Sequence, residues 1–505
     1  MTDRKTQIKS LESMPVNYPK MVVEKSAGLT PSEKKLAALG YHTFLRLWSY
    51  PNPYKMQLNG KELCDLLIVF ENHIIIFSDK ECAYGNSGNA QVDWRRWYKK
   101  AIQKSAEQLV GAKSWITRYP DRISVDAKCS KALPLKIEIT SDTKFHLVAI
   151  AHGASEECIK YFSGGDGGLC ISNRIVGKMH TNENCEPFYI GKVFDIPKNF
   201  IHVFDDASYA NVLSELDTIQ DFLRYLDARR ELLLTKKVLA ESENNILAQH
   251  LQGVILNNPY ALEKMCQDYS EIHFSGCMLD AVRQSHQYLD YRKDVEISYF
   301  WDNLLQNTFS FIENGLSAMT TSPTIQEQSQ LFKWMARADR AHRRCLSEGF
   351  LSFFTSVCNE DRGTRVLYYP DEPDIYYFLL LLPRRKHWQE SDYRKVRLQM
   401  LEEYCTIVKA DYPQISHIIG VAHESAKSDY SSEDFIYLDV SEWSSEQQAD
   451  ALLLKKEYEE KHLLAKRKFS QATFFFDKAK MKGRDRNKPC PCGSGKKFKY
   501  CCGRG

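Results

Sequence analysis

The 505-residue sequence predicts a soluble, multi-domain α/β chain that ends in a small metal-binding knuckle. Three observations predict this. Strand-like and helix-like segments alternate before residue 235 and again after residue 320, with a mostly helical stretch between. Hydrophobic residues make up 43% and charged residues 26%, ordinary proportions for globular domains. Four of the 15 cysteines crowd into the last sixteen residues.

Residues 1–28 show no periodicity and read as a flexible leader. Thr30-Pro31-Ser32-Glu33 is a helix start, with Thr30 as N-cap, Pro31 in the first turn and Glu33 at the third position. That helix stops near Trp48, before Pro51 and Pro53. Glu62–Phe70 and His73–Asp79 read as strands of a hairpin, joined by Glu71-Asn72, where Asn favours positive φ. A helix follows from Asp93 to about Arg118, with Trp94, Trp97, Leu109, Ala112 and Trp115 at helical spacing. Leu135–Thr140, Phe145–His152 and Ile201–Phe204 read as strands, and Asn211–Leu234 reads as a helix. The loop Ser163–Gly168 (SGGDGG) lacks the Lys-Ser/Thr of a phosphate loop and reads as mobile. Asp206 reads as the cap of the helix that follows it. His146, His152 and His202, in or beside strands, read as packed core residues before ligands.

These elements define an α/β domain over 29–235, a helical connector over 236–320 and a second α/β domain over 321–470. The second domain has strands near Arg365–Tyr369, Ile375–Leu382, Ile415–Ala422 and Phe435–Leu438. Its helices are placed at Ile325–Cys358, at Ser391 to about Lys409, and from Ser445 onward. A basic linker (471–488) leads to the knuckle (489–505).

The longest apolar run, Tyr376–Pro383, is too short to span a bilayer. The start carries no secretory core, and eleven cysteines are scattered singly between Cys64 and Cys405. Both features imply free buried thiols and a cytoplasmic protein. Net charge is +3, but the chain from Lys461 onward carries 14 Lys plus Arg against two Asp, so the remainder is acidic. Such a tail suits an anionic partner, nucleic acid or an acidic or ribosomal surface; a solvated tail that aids solubility is the alternative.

Cys490, Cys492, Cys501 and Cys502 form two close pairs joined by a tight turn, the tetrahedral thiolate set that Zn²⁺ prefers. Gly493 and Gly495 permit the turn, and Phe498 and Tyr500 stand to cover a metal whose binding is the folding event. Reactive surface thiols are the alternative. Residues 486–502 resemble the SEC-C motif found at the C-terminus of the SecA translocation ATPase, which implies a zinc-dependent docking module. The chain has no GxxxxGK[ST] phosphate loop, so the SecA motor itself is excluded.

Asp65 inside the apolar run ELCDLLIVF is out of place without a partner, because burying an isolated carboxylate is costly. Lys80 ends the next strand, and Gln108 lies on the following helix. With Glu33 on the first helix, residues 31–115 resemble the PD-(D/E)XK restriction-endonuclease-like superfamily. That resemblance implies Asp65 and a second carboxylate holding Mg²⁺ or Mn²⁺, Lys80 assisting catalysis, and Glu33 and Gln108 supporting the site. The position two before Lys80 is Ser78 rather than an acid, so either Asp79 or Glu81 is the second carboxylate or the metal site is degenerate. A regular strand would face both away from Lys80, and a bulge at the strand end would turn one inward. Arg95, Arg96, Lys99, Lys100 and Lys104 are candidate phosphate contacts. Two functions follow: a metal-dependent nuclease of bacterial defence or repair, or a non-catalytic zinc adaptor that docks to protein, RNA or ribosome. In the second, Asp65 simply bonds to backbone or a Lys.

Overall fold

The computed structural model describes residues 25–471, except 58–59, 277, 314–324, 358–360, 370–371, 386, 425–431, 462 and 465–467, and also residue 487. Most of the leader and basic linker, and all four knuckle cysteines, lie outside the described residues. The chain is mixed α/β and forms two compact bodies: Val23–Asp294 with Ala336–Arg340, and Val295–Met335 with the chain from Ala341 on.

In the first body, helix α1 (Pro31–Trp48) starts where the sequence places it. The Thr30 side chain accepts the Glu33 N–H, and the Glu33 carboxylate accepts the Leu29 N–H. Strands β1 (Ser49–Pro51), β2 (Leu66–Phe70) and β3 (His73–Glu81) follow. The β2–β3 hairpin turns at Glu71-Asn72, but the positive φ falls on Glu71 (52°). Helix α2 (Ala90–Tyr98) begins three residues earlier than expected, because Asn89 rather than a later residue caps it. It runs through a π-helical turn (Lys99–Gln103) into α3 (Lys104–Arg118). Strand β4 (Lys144–His152) then pairs in parallel with β3.

Helix α4 (Ser155–Phe162), strands β5 (Cys170–Val176) and β6 (Tyr189–Lys192), and strand β7 (Ile201–Asp205) come next. The main sheet has the order β1-β2-β3-β4-β7, antiparallel across β1-β2-β3 and parallel across β3-β4-β7. Every residue of β2 is buried, as a strand covered on both faces requires. Phe44 of α1 packs on Phe77 of β3, ring centroids 6.0 Å apart, and edge-on against Phe222, at 5.0 Å. Trp94 and Trp97 are fully buried and Trp115 is half-buried, so the first two are core residues.

Three local expectations fail for identifiable reasons. Leu135–Thr140 forms no strand: the Thr140 N–H is taken by Thr143 Oγ1 (2.8 Å), which turns the chain before a ladder can form. The helix expected over Asn211–Leu234 is two helices, α5 (Tyr209–Glu215) and α6 (Ile219–Thr235), because Thr218 caps the second by accepting the Asp221 N–H. The stretch after 236 is not all helical. Strands β8 (Lys237–Ala240) and β9 (Glu271–Phe274) flank helix α7 (Glu243–Ile255), and the second sheet has the order β9-β8-β5-β6. Both strands alternate exposed and buried residues over only four positions, too few to stand out from helical neighbours.

The second body matches the sequence reading more closely. Its strands β10 (Gly363–Tyr369), β11 (Glu372–Leu381), β12 (His417–His423), β13 (Glu433–Asp439) and β14 (Lys468–Gln471) form a sheet ordered β13-β12-β11-β10-β14. Helix α8 (Glu390–Asp411) connects the parallel pair β11 and β12. Arg397 of α8 is fully buried and donates from Nε to Asp434 Oδ2 (2.6 Å). The helix expected over Ile325–Cys358 is two, Ile325–Ala336 and Arg340–Ser356. No helix among the described residues is long and apolar enough to cross a membrane.

Candidate functional site

Strand β2 begins, and strands β3, β4 and β7 end, at one edge of the first body's main sheet. The C-terminal edge of parallel strands is where α/β folds expose polar side chains on a rigid frame. Here Leu66 pairs with Phe77, so Asp65 falls opposite Ser78. The register of β3 against β4 is unbroken from His73–Lys144 to Glu81–His152. Successive strand residues alternate faces, so Ser78 and Lys80 share one face while Asp79 and Glu81 share the other.

On the first face, Asp65 sits just outside the β2 ladder. Its backbone carbonyl accepts the Asn52 N–H (2.9 Å), and its carboxylate Oδ2 accepts the Asp79 N–H (2.5 Å). Burial pushes its carboxyl up to about 7, against the opposing pull of the Asp79 N–H and Lys80; Glu62 and Glu33 add to the rise. Lys80 is half-buried and forms no ion pair within 4 Å among the described residues. Gln108 of α3 lies 3.5 Å from Ser78 Oγ, the limit of a hydrogen bond. Glu33 accepts a hydrogen bond from Asn52 Nδ2 (2.9 Å), which also donates to Glu62 Oε1 (2.7 Å). Arg96, Lys99, Lys100 and Lys104 are exposed along the helix; Arg95 is half-buried and bonds Gln91 O.

On the second face, Asp79 reaches His152 rather than Lys80. His152 Nε2 donates to Asp79 Oδ1, and its Nδ1 donates to Asp206 Oδ1, each at 2.5 Å. Burial works against the imidazolium, but the bonds to Asp206 and Asp79 prevail and push its pKa up to about 9. The other oxygen of Asp79 is buried without a partner among the described residues. This chain borders an open cleft of about 800 Å³, also lined by Lys35, Glu81, Tyr84, Ser155, Glu156 and Tyr209. Gly153 follows His152 at φ +93°, and a Cβ there would meet Cys82 O at 2.2 Å, so the backbone can pass only as glycine.

Two expectations change here. Asp206 does not cap α5; its carboxylate takes His152 and the Gly153 N–H (2.7 Å). Asp205 shapes that turn instead, accepting from Ala207 N (3.1 Å) and Ser208 Oγ (2.7 Å). The SGGDGG loop is tied down: Asp166 accepts from Gly168 N (2.9 Å), Ser242 Oγ (2.6 Å) and Asn244 Nδ2 (2.8 Å). His146 and His202 are buried, as expected for core histidines, and burial lowers the pKa of both. Sequence reasoning missed Asn52, Glu62 and the His152–Asp206 link. The signal for the last was present in His152 and in Asp205-Asp206, polar residues that end two apolar strands side by side.

Among the described residues, no three His, Cys, Asp or Glu side chains converge as a ready metal shell. Nine described cysteines are free thiols, seven of them buried. The SEC-C motif, described as such by its family model, matches residues 486–504, which contain all four knuckle cysteines. No curated protein and no solved structure matches the chain.

Proposed function

We propose that the first body is a restriction-endonuclease-like module that acts on nucleic acid phosphodiesters with Mg²⁺ or Mn²⁺. The observation that carries this reading is topological. A helix, an antiparallel hairpin, a second helix and a strand parallel to the hairpin occur in that order, with Asp65 opposite Ser78 and Lys80 two residues along the same face. Magnesium keeps most of its waters and takes one or two protein carboxylates, so Asp65 with one neighbouring acid is a fitting donor set even without a three-residue cluster. When bound, such a cation activates water and neutralises phosphate charge.

The chain's own residues do the rest. Asp65 with one neighbouring acid would hold the metal, Glu33 would support the site through Asn52, and Lys80 presents a cation to the reacting phosphate. Gln108 steadies Ser78 and polar groups around it. The exposed Arg96, Lys99, Lys100 and Lys104 contact the phosphate backbone without reading sequence. The basic linker and SEC-C tail bind Zn²⁺ and tether the module to nucleic acid or to an acidic or ribosomal partner in the cytoplasm, in defence or repair.

The test is cleavage of plasmid DNA and of mixed RNA by purified protein with Mg²⁺ or Mn²⁺. Cutting that needs metal and disappears in Asp65→Ala and Lys80→Ala supports the module. Cutting that survives both, or no cutting at all, sinks it. The second reading, a zinc-dependent adaptor, is favoured by the SEC-C match and by the backbone bond that occupies one Asp65 oxygen. Zinc-dependent partner capture that is lost without the residues from 472 onward, by a protein that cuts neither DNA nor RNA, is the outcome that favours the adaptor alone.

A further inference from the structure

The end of β3 that carries Asp79 and Lys80 runs past its hairpin partner. The β2–β3 ladder closes at Leu66–Phe77, whereas β3 stays paired with β4 out to Glu81–His152. Residues 78–81 therefore have a strand on one side only, and two side chains tie them in place of the other. The Asp65 carboxylate accepts the Asp79 N–H (2.5 Å), while the Asp65 N–H donates to Phe77 O (3.1 Å). On the other face His152, the last residue of β4, donates from Nε2 to the Asp79 carboxylate at 2.5 Å.

Asp79 thus joins two contacts of different kinds. Its main-chain N–H sets where the Asp65 carboxylate points, and its side chain depends on His152. That side chain is 1% exposed, and among the described residues His152 is the only group bonded to its carboxylate. A buried carboxylate that loses its cationic partner must turn toward another donor or toward water. Here such a turn moves the very residue whose N–H holds Asp65. His152 is itself fixed from three sides. Asp206, in the turn after β7, accepts from its Nδ1 (2.5 Å) and from the Gly153 N–H (2.7 Å). The Tyr209 ring of α5 meets the imidazole edge-on, centroids 5.2 Å apart, and Trp97 Nε1 donates to His152 O (3.1 Å).

We propose that His152 is a positioning residue for Asp65 and Lys80: held by Asp206, its ring anchors the singly paired end of β3, so that the Asp79 N–H orients the Asp65 carboxylate. The device is a chain of four groups, Asp206, His152, Asp79 and Asp65, which crosses β7, β4, β3 and β2 at one edge of the sheet. Lys80 follows Asp79 directly and keeps its place on the Asp65 face only while Asp79 stays turned toward His152. The role of His152 in cleavage rests on the nuclease-like reading of this site; its coupling to Asp65 does not.

The experiment is a nuclear magnetic resonance measurement at one neutral pH on the full-length, zinc-loaded protein, deuterated and labelled with ¹⁵N-aspartate. A charge-assisted hydrogen bond draws an amide proton downfield, so the Asp79 amide reports on its bond to Asp65. Asp65→Asn is expected to move that proton upfield, and His152→Gln to move it the same way. The double variant is expected to go no further than Asp65→Asn, because both changes act on one bond. Asp206→Asn, which leaves His152 its bond to Asp79, is expected to move the proton part of the way and serves where His152→Gln does not fold. The amides of Asp142 and Asp227, outside the chain of four groups, are expected to stay in place, and thermal melts establish that each variant is folded. A purely stabilising His152 would leave the folded Asp79 signal where it is. An Asp79 amide unmoved by both His152→Gln and Asp206→Asn, or shifted by His152→Gln just as far when Asp65 is already Asn, overturns the proposal. In the cleavage assay His152→Gln is expected to lower kcat about 100-fold at unchanged KM, the usual cost of misplacing a reacting group by about 1 Å. The coupled shift without cleavage by wild type upholds the coupling and removes the nuclease. Cleavage with a kcat indifferent to His152→Gln, and no coupled shift, does the reverse.

Discussion

Replacing His152 with Gln should change how the stability of the first body depends on pH. In the fold the imidazole is pushed up to about 9 from an ordinary value of 6.5, since the bonds to Asp206 and Asp79 outweigh burial. The fold therefore keeps a proton that the unfolded chain releases above pH 6.5. This stability is present in full below pH 6.5 and is lost as pH rises through 9. A shift of about 2.5 units at about 1.36 kcal/mol each amounts to about 3 kcal/mol. The His152 side chain is 11% exposed and Asp79 only 1%, so solvent screening takes little from that figure. The variant leaves Asp79 buried without its cation, a change that costs about 3–5 kcal/mol. The assay is a urea series read by pulse proteolysis, with fragments from β3 and β4 resolved by mass spectrometry at pH 6 and pH 9.5. Wild type should exceed His152→Gln by about 3 kcal/mol at pH 6, and the gap should close by pH 9.5. A gap that stays the same at both pH values would refute the argument.

Three further outcomes are expected. His146 is held near pH 4 by burial with help from Lys144 and Arg230, so the fold keeps it neutral while the unfolded chain protonates at 6.5. Stability is then lost as pH falls from 6.5 to 4, about 2 kcal/mol of it by pH 5, and His146→Gln should flatten that acid limb in urea titrations. Arg397→Met leaves Asp434, 2% exposed, with Arg394 as its remaining guanidinium partner (2.7 Å) and should cost about 1.5–3 kcal/mol in a melt of the second body, read from the shift of its midpoint. Metal analysis of the purified chain should find one zinc, lost in Cys501→Ser or on chelation, with far-ultraviolet circular dichroism of the rest unchanged.

What the sequence determined by itself is local. The Thr30-Pro31-Ser32-Glu33 cap, the β2–β3 hairpin and the paired cysteines each depend on residues within a few positions of one another, so spacing is enough to read them. The strands and helices of the second body were legible for the same reason: long apolar runs alternate with one long amphipathic helix. Where a side chain could outbid the backbone ladder, spacing misled, as at Thr140–Thr143 and at Asp205-Asp206.

What only the tertiary structure decided is which polar groups meet. Asp79, His152 and Asp206 are 73 and 54 residues apart and come together because β3, β4 and β7 run parallel and end at one edge. Glu33 and Glu62 share the Asn52 amide because α1 returns its first turn to the start of β2. The hairpin pattern names Asp65 and Lys80 from their spacing and alternation turns Asp79 away from Lys80, but that no bulge re-aims Asp79 is decided by an unbroken register with a strand 70 residues later. That register is set by packing across both faces of the sheet, which no local pattern records.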